Sequence, residues 1–262
     1  MNNIITPEAY QGHPGLSQSG AKELLRSPLH FKQYLERDRS EQTAAQRLGS
    51  LIHLAVLEPK VFDATIVVAP ECDKRTSAGK EIWAAFQSSL KPGQEAISQK
   101  DGELVTNVSI AARQALDKLF KDCDGESIIT EVPMEGRVNG ILIKGKLDAI
   151  ITTKAGKRIV VDVKTTADAG AASFGRDVAN YLYFLQSAWY RTLADADVFV
   201  FVAVEKEAPN AWACYTLDDA AHEKGLALMN SAVETFRSCN TFKQFPGYPQ
   251  EVQVMSLPKW VQ

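Results

Sequence analysis

Hydrophobic and polar residues recur with two different periods along this chain, and the change of period separates two groups of elements. Up to about residue 121 the apolar positions recur every three or four residues, as on a helix with one buried face. This spacing predicts helices at 46–58, 78–90 and 101–121, with Pro59 ending the first of them, and a short strand at 65–69. Further on, β-branched runs predict strands at 128–133, 140–151 and 158–166.

Turn residues join these three strands closely enough for antiparallel pairing. Residues 138–140 (Val-Asn-Gly) and 154–156 (Lys-Ala-Gly) are hairpin signals. The pattern then predicts a long helix (173–194), a buried strand (198–204), another strand (212–217), a last helix (218–238) and a tail that is irregular apart from a strand at 251–255. The order helix, three antiparallel-type strands, helix, strand predicts an α/β fold in one domain. That domain divides into a helical N-terminal elaboration (1–45), a core (46–217) and a C-terminal helix and tail (218–262).

The N-terminal elaboration carries two signals for the start of a helix. Ser17 or Ser19 can cap a first helix, and Ser27 can cap a second one with Pro28 in its first turn, where a missing N–H costs nothing. Both helices carry basic residues that are expected on solvent-exposed faces: Lys22, Arg26, Lys32, Arg37 and Arg39.

Composition narrows the classes of function. The chain has 262 residues, of which 45% are hydrophobic and 23% charged, as in globular rather than disordered proteins. Its 29 basic and 32 acidic side chains give a net charge of −3, which excludes a basic coat for nucleic acid but not a local basic groove. Four cysteines without a CxxC pair indicate reduced thiols in a cytoplasmic protein. We expect no signal peptide and no membrane span, because the chain shows neither pattern.

Charged residues interrupt two of the predicted strands. Asp162 and Lys164 are two residues apart and project from one face of their strand, while Val163 points into the core and leaves its carbonyl available. Asp148 lies one strand earlier. Charges inside such apolar strands are costly unless they are paired or bound to metal, and a few carboxylates with water suit Mg²⁺. An edge-strand salt bridge is the alternative, since D-x-K alone occurs by chance. Residues 58–60 (Glu-Pro-Lys) have a similar pattern but lie at a helix end outside any strand.

Further positions fit the same chemistry, each with a structural alternative. Either Glu131 or Glu135 can present another carboxylate, and the sequence leaves that choice open. His53 lies in an apolar helix, where a buried core histidine is the common alternative. Gln186 and Tyr190 are four residues apart and share one helix face, where ordinary interface polar groups are also common.

Taken in order, these residues form a set of motifs: Gly49-Ser50-x-x-His53, Glu131, Gly145-x-x-Asp148, Asp162-x-Lys164 followed by Thr165-Thr166, and Gln186-x-x-x-Tyr190. The set resembles the PD-(D/E)XK nucleases of the RecB type, and most closely the exonuclease domain of RecE (exonuclease VIII) and its phage and prophage relatives. The resemblance extends over about residues 15–192 and includes the segments LSQSGAKELLRSPLHF, GSLIHLAVLEPKVF and RTSAGK.

The resemblance implies a PD-(D/E)XK core with a metal site. One or two Mg²⁺ or Mn²⁺ ions would be held by the side chains of His53, Glu131, Asp148 and Asp162 and by the Val163 carbonyl. Lys164 would position the attacking water and stabilise charge at the phosphate. The residues implied to orient the active site or to contact the DNA backbone are Gln186, Tyr190 and Thr165.

A polar loop at 71–80 offers two more cations. TSAGK within it resembles a phosphate loop, but the full GxxxxGK[ST] pattern is absent and ATP binding is excluded. Contact of Arg75 and Lys80 with a DNA phosphate is one interpretation of this loop, and simple solvation is the other.

The activity that the resemblance implies is metal-dependent exonuclease action on linear double-stranded DNA. The 5′ strand would be degraded, leaving 3′ single-stranded overhangs for recombination in a bacterial or phage-infected cell. Expected partners are duplex DNA ends, copies of the chain in a ring-shaped homo-oligomer, and a RecT-type single-strand annealing protein. A structure-specific endonuclease and a non-catalytic DNA-end-binding module are the alternatives. An iron–sulfur nuclease of the Cas4 type is excluded because Cys214 and Cys239 lie too far apart.

Overall fold

The computed structural model describes residues 2–37 and 43–257, which form ten helices and nine strands. The N-terminal part contains β1 (Asn3–Ile4), α1 (Pro7–Gln11), β2 (Leu16–Ser17), α2 (Gln18–Arg26) and α3 (Pro28–Glu36). The middle part contains α4 (Ala44–Leu57), α5 (Pro59–Thr65), β3 (Ile66–Val68), α6 (Ser77–Ser89), β4 (Glu95–Ile97) and α7 (Gln99–Asp122). The last part contains β5 (Gly125–Val138), β6 (Ile141–Thr153), β7 (Arg158–Thr166), α8 (Ala171–Asn180), α9 (Tyr183–Ala194), β8 (Val198–Glu205), β9 (Trp212–Tyr215) and α10 (Asp219–Phe242).

β5, β6 and β7 form the centre of a mixed sheet. The strand order is β1-β5-β6-β7-β8-β9, and β2 pairs in parallel with β6. β5, β6 and β7 are antiparallel to one another, whereas β8, which α8 and α9 connect to β7, lies parallel to β7. The hairpin turn between β5 and β6 has positive φ at Asn139 and Gly140, as the sequence signal requires. The α/β fold predicted from the sequence is therefore confirmed.

The two faces of the sheet are covered by separate hydrophobic cores. On one face Val160 packs with buried residues of α2, α9 and α10. On the other face Val161 and Val163 pack with buried residues of α4 and α7. Because side chains alternate along β7, Asp162 and Lys164 project to the α9 side of the sheet, together with Val160.

The signals at the start of the N-terminal helices are confirmed. Ser17, rather than Ser19, caps α2, and Ser27 caps α3 with Pro28 in its first turn. Lys22 is only partly exposed, so the prediction that it belongs to a solvated face is wrong. The other basic residues of these helices are exposed where the structure describes them: Arg26, Lys32 and Arg37, with Arg39 lying outside the described residues.

The single long helix predicted over 173–194 is wrong, because the chain breaks between α8 and α9. Leu182 adopts the left-handed conformation (φ 52°, ψ 44°) at the start of α9. That conformation is unfavourable for leucine on its own, so tertiary packing imposes it. Leu182 packs against the core, and the Tyr183 ring lies 5.7 Å from the Phe201 ring. The helical period continues through the break, and residues 180–183 contain no Gly or Pro. Periodicity alone could therefore not reveal the break.

Two smaller predictions also need correction. α4 ends at Leu57, but Pro59 does more than end a helix, because it opens α5, where proline is favourable in the first position. Residues 251–255 form no strand, and Val252 and Val254 are fully exposed without a strand to pair with. Within the described ranges no helix is long and apolar enough to cross a membrane.

Candidate active site

The pairing between β6 and β7 stops just before two acidic residues, Asp148 and Asp162, and the strands separate there. We call this opening between the two strands the fork. β6 and β7 pair from Thr152 and Arg158 as far as Ala149 and Val161, and the pairing stops there. The next residues in the same register are Asp148 and Asp162. β7 stays paired with β8 on its other side through this region, so only the β6 side opens. The fork therefore brings the two carboxylates to the same level of adjacent strands, as their positions in the sequence predict.

Asp148 occupies the opening with its side chain. Its Oδ2 accepts a hydrogen bond of 2.8 Å from the Val163 amide and lies 3.4 Å from Nδ1 of His53 on α4. Burial raises the pKa of Asp148, but His53 and the Val163 N–H outweigh burial and lower it overall. Burial lowers the pKa of His53, but Asp148 outweighs that effect and raises it. The pair is thus stabilised as carboxylate and imidazolium when no metal is bound.

Glu131 joins His53 and Asp148 from β5. Ligand atoms of these three residues lie within 4.8 Å of one another. Glu131 has a left-handed backbone (φ 54°) at the level of Asp148, between the pairs Thr130–Ala149 and Val132–Leu147. Glu135 instead accepts a hydrogen bond of 2.6 Å from Nε2 of His13, whose Nδ1 accepts from the Gly15 amide. Of the two glutamates that the sequence left open, Glu131 is therefore the one beside Asp148.

A cavity of about 400 Å³ adjoins this cluster on the α4 side. Gly49 and Ser50, one turn before His53, form part of its wall, together with Glu58, Glu131 and Lys146. The ammonium of Lys146 pairs with Glu131. Neither Lys146 nor Glu58 was recognised from the sequence as a candidate. Glu58 was set aside with its Glu-Pro-Lys pattern, and Lys146 reaches the site only because β5 and β6 pair.

Asp162 and Lys164 form the other side of the fork. Asp162 is 1% exposed, and its Oδ1 accepts a hydrogen bond of 2.5 Å from Nε2 of Gln186. The Lys164 ammonium lies 2.5 Å from Oδ2, which receives no well-aligned hydrogen bond from the described residues. Burial, with the charge of Asp148, raises the pKa of Asp162 to about 6, although Lys164 opposes this. Burial lowers the pKa of Lys164, but Asp162 and Asp148 outweigh it and raise that pKa.

The donors at the fork fit a divalent cation. Carboxylate oxygens and one imidazole nitrogen are ligands that Mn²⁺ accepts and that Mg²⁺ accepts in part. The three clustered ligand atoms are close enough to share one ion. Asp162 lies across the fork from them, and its Oδ2 is a buried acceptor without a well-aligned donor, as a further ligand would be. His53, Glu131 and Asp148 can therefore hold a metal ion, with Asp162 beside it.

α9 supports the lysine side of the fork. Gln186 and Tyr190 face the same way, as predicted, and Gln186 donates a hydrogen bond to Asp162. Burial raises the pKa of Tyr190 well above its usual range, so its hydroxyl stays protonated. Gly145 allows this packing, because a Cβ there would lie 2.8 Å from the Tyr190 ring and from Leu193.

Two residues that sequence reasoning missed lie beside Lys164. The Tyr183 ring has the Lys164 ammonium 4.9 Å from its centroid and the Lys22 ammonium 5.4 Å from it. Burial and the nearby charge of Lys164 lower the pKa of Lys22 to about 8. Lys22 belongs to α2 and Tyr183 follows the helix break, so no spacing in the sequence joins them to the fork.

The remaining candidate residues are not brought to the fork by any contact within the described ranges. Arg75 is exposed and paired with Asp73, its Nε lying 3.0 Å from Oδ1. Lys80 is exposed near the start of α6, where Thr76 caps the helix. Thr165 follows Lys164 directly, so strand alternation turns its side chain to the α4 side. A DNA contact by these three residues stays a prediction.

This core, with its fork of two carboxylates and a lysine, defines the fold class of the PD-(D/E)XK nucleases. The chain belongs to the family described as PDDEXK-like domain of unknown function (DUF3799), whose model matches residues 17–258. No curated protein matches the chain in sequence. The closer resemblance to RecE stays a prediction.

A solved structure shares the fold at low sequence identity. A crystal structure described as "Putative exonuclease" from Eubacterium rectale has a TM-score of 0.61 and 16% identity, covering 98% of this chain and 96% of that chain. A phage related exonuclease from Haemophilus somnus 129PT has 13% identity over 90% of this chain and 100% of that chain. Its TM-score of 0.36 is too low to support an inference. At 16% identity the likeness to the Eubacterium rectale protein establishes the fold alone.

Proposed function

We propose that this protein is a metal-dependent exodeoxyribonuclease that degrades linear double-stranded DNA. The observation that carries the proposal is the fork, where Asp148 and Asp162 stand at one level with Lys164 paired to Asp162. Carboxylates alone would repel a phosphodiester, so this arrangement suits DNA cleavage only with a cation between them. The proposed ligands of one or two Mg²⁺ or Mn²⁺ ions are His53, Glu131, Asp148, Asp162 and the Val163 carbonyl.

The surrounding residues support this chemistry. A divalent cation held at the fork would neutralise charge on the scissile phosphate and promote ionisation of the attacking water. The pKa of Lys164 is raised because Asp162 and Asp148 outweigh its burial, so the metal-free protein favours the ammonium form, which donates hydrogen bonds. We therefore assign Lys164 to orienting the water and stabilising charge at the phosphate. Gln186 fixes Asp162 through its hydrogen bond to Oδ1, and Tyr190 in turn contacts Gln186.

One gel tests the proposal. Purified protein is incubated with linear and with covalently closed circular duplex, in Mg²⁺ and in EDTA, beside the variants Asp162→Asn and Lys164→Met. We expect the unmutated protein to degrade the linear DNA in Mg²⁺ and not in EDTA. The circular DNA should stay intact, and neither variant should degrade either DNA. Cleavage of the circle would make the protein an endonuclease. A wild-type protein that cuts neither DNA would favour a DNA-end-binding module, and an active Lys164→Met variant would refute the mechanism.

The strand that is degraded is a separate part of the proposal. We infer from the resemblance to RecE that the 5′ strand is removed and that the 3′ overhang serves recombination. Duplexes labelled at either the 5′ or the 3′ end of one strand test this. Early release of the 5′ label as a mononucleotide is expected, and early release of the 3′ label would reverse the polarity.

The proposed partners follow from the same resemblance. A net charge of −3 is compatible with binding to DNA if basic residues line a channel inside a ring of several copies of the single domain 1–262. We propose such a homo-oligomer, acting in the cytoplasm of a bacterial or phage-infected cell beside a RecT-type annealing protein. Light scattering at the concentration of the activity assay tests the ring, and a monomer that is fully active would exclude it.

A further inference from the structure

Lys22 is a cation beside the active site that has no carboxylate within salt-bridge distance among the described residues. The Asp162 carboxylate acts on it only at longer range. It is partly buried on α2, and its ammonium faces the Tyr183 ring at 5.4 Å from the centroid. Within residues 2–37 and 43–257 no carboxylate oxygen lies within 4 Å of it. The carboxylate of Asp162 is already engaged by Lys164 and Gln186.

The surroundings of Lys22 make a permanent structural role unfavourable. A partly desolvated ammonium near a second ammonium loses hydration and is repelled, and one aromatic face offsets only part of that cost. The lowered pKa of Lys22 reflects this burial and the charge of Lys164. The attraction of an incoming anion would offset both penalties, and the polymer proposed as the substrate carries one negative charge on every phosphate.

We propose that Lys22 binds a backbone phosphate of DNA next to the scissile one, while Lys164 serves the scissile phosphate. Both ammonium groups lie within 5.4 Å of one ring centroid, close enough to hold neighbouring phosphates of a single strand. The Tyr183 ring contacts both ammonium groups and so links the two positions. This inference rests on the proposed function and adds to it a phosphate-binding residue, on α2, that lies outside the motifs.

Salt-dependent binding tests this role without requiring cleavage. The dissociation constant of duplex DNA is measured by fluorescence anisotropy in EDTA between about 50 and 200 mM salt. Loss of a charge-assisted phosphate contact in Lys22→Met should weaken binding roughly tenfold or more. It should also lower the slope of log Kd against log salt by roughly 0.7 to 0.9, the value of one phosphate contact. Lys22→Arg should keep the slope of the wild type.

Lys224→Met is the matched control. Lys224 on α10 faces the ring of Phe184, the residue after Tyr183, at 5.7 Å from its centroid, but it is exposed. If Lys22 only stabilises a helix through its aromatic contact, both variants will lower the melting temperature and neither will change the salt slope. That result would overturn the proposal.

A neutral methylphosphonate at single positions of the cleaved strand identifies the phosphate. At the position that Lys22 holds, it should slow cleavage by the wild type but not cleavage by Lys22→Met. Equal slowing of both proteins at every position would refute the contact. If the wild type shows no Mg²⁺-dependent cleavage, the proposed function fails, and the salt slopes still decide whether Lys22 binds a phosphate. Should Lys22→Met fail to fold, Lys22→Gln replaces it in both measurements.

Discussion

The amide of Val163 donates its hydrogen bond to Asp148 Oδ2, at 2.8 Å, just beyond the last β6–β7 pair. The carboxylate thus replaces a backbone partner that the forked strand has lost. One side chain holds the fork open and also supplies an oxygen to the group that can bind metal.

Substitution of Asp148 should separate these two roles. Asp148→Ala leaves the Val163 N–H without a partner, which costs about 1–3 kcal/mol of the free energy of unfolding. Asp148→Asn keeps an oxygen for that N–H and should be the more stable of the two variants, although both lose metal-dependent cleavage. Urea denaturation in EDTA measures the difference. Equal stability of the two variants would mean that the hydrogen bond does not hold the fork.

Metal should stabilise the protein more at neutral than at acid pH. In the metal-free protein the pKa of Asp162 is raised to about 6, and that of His53 is also raised. Both groups bind protons more tightly in the folded state, so the stability they contribute is lost as the pH rises through their folded pKa values. Asp148, with a lowered pKa, loses its contribution only at more acid pH. The same rise in pH deprotonates Asp162 and His53, which makes a carboxylate oxygen and an imidazole nitrogen available to the cation.

We therefore expect the rise in melting temperature on adding Mn²⁺ to be larger at about pH 7.5 than at about pH 5.5. The protein without metal should become less stable over that interval, as far as these two groups determine it. The double variant His53→Gln, Asp162→Asn serves as the control and should respond to Mn²⁺ equally weakly at both pH values. A larger response of the wild type at the acid pH would contradict this assignment.

Glu131 and Glu135 offer a matched pair of variants. Glu131→Gln removes one of the three clustered ligands. Because loss of a residue that only supports a metal ligand already weakens metal binding roughly tenfold or more, the Mn²⁺ concentration needed for cleavage should rise at least that much. Glu135→Gln alters the hydrogen bond with His13, away from the three clustered ligands, and should leave the metal requirement unchanged. A Mn²⁺ titration of activity compares them, and the reverse order would move the site to Glu135.

Gly145 should be a packing requirement of the site. A Cβ there would lie 2.8 Å from Leu193 and from the Tyr190 ring, so Gly145→Ala should cost about 1–3 kcal/mol through overpacking. Gly175 in α8 has open space around its position, and Gly175→Ala should stabilise the helix by about 0.5–1 kcal/mol. Chemical denaturation of both variants measures the two effects. A neutral Gly145→Ala would show that α9 can move away from β6 at little cost.

Residues that share one element were placed correctly from the sequence, because the period of the element determines their face. Asp162 and Lys164 on one strand, and Gln186 and Tyr190 on one helix, are of this kind. The choice between Glu131 and Glu135 could not be made in the same way. The two glutamates are four residues apart on β5, where alternation treats them alike. Glu131 differs from Glu135 in its left-handed backbone, and no residue type in the sequence indicates that conformation.

The missed residues depend on contacts between elements that are distant in sequence. Lys22 comes near the fork through the packing of α2 against α9, and Lys146 meets Glu131 through the pairing of β5 with β6. A basic residue on a short amphipathic helix is usually exposed to solvent. The local pattern therefore predicts an exposed Lys22, whereas the structure has it partly buried. The break at Leu182 was missed for a similar reason, since core packing overrides a continuous helical period there.

The break at Leu182 also sets the rotational phase of α9. A residue inserted just after it would turn every later side chain of α9 by about 100° and carry Gln186 away from Asp162. The same insertion in the turn at 154–156 would lengthen a loop between β6 and β7 and leave the fork in place. Active relatives should therefore differ in length at their hairpin turns and keep the α8–α9 junction free of insertions and deletions.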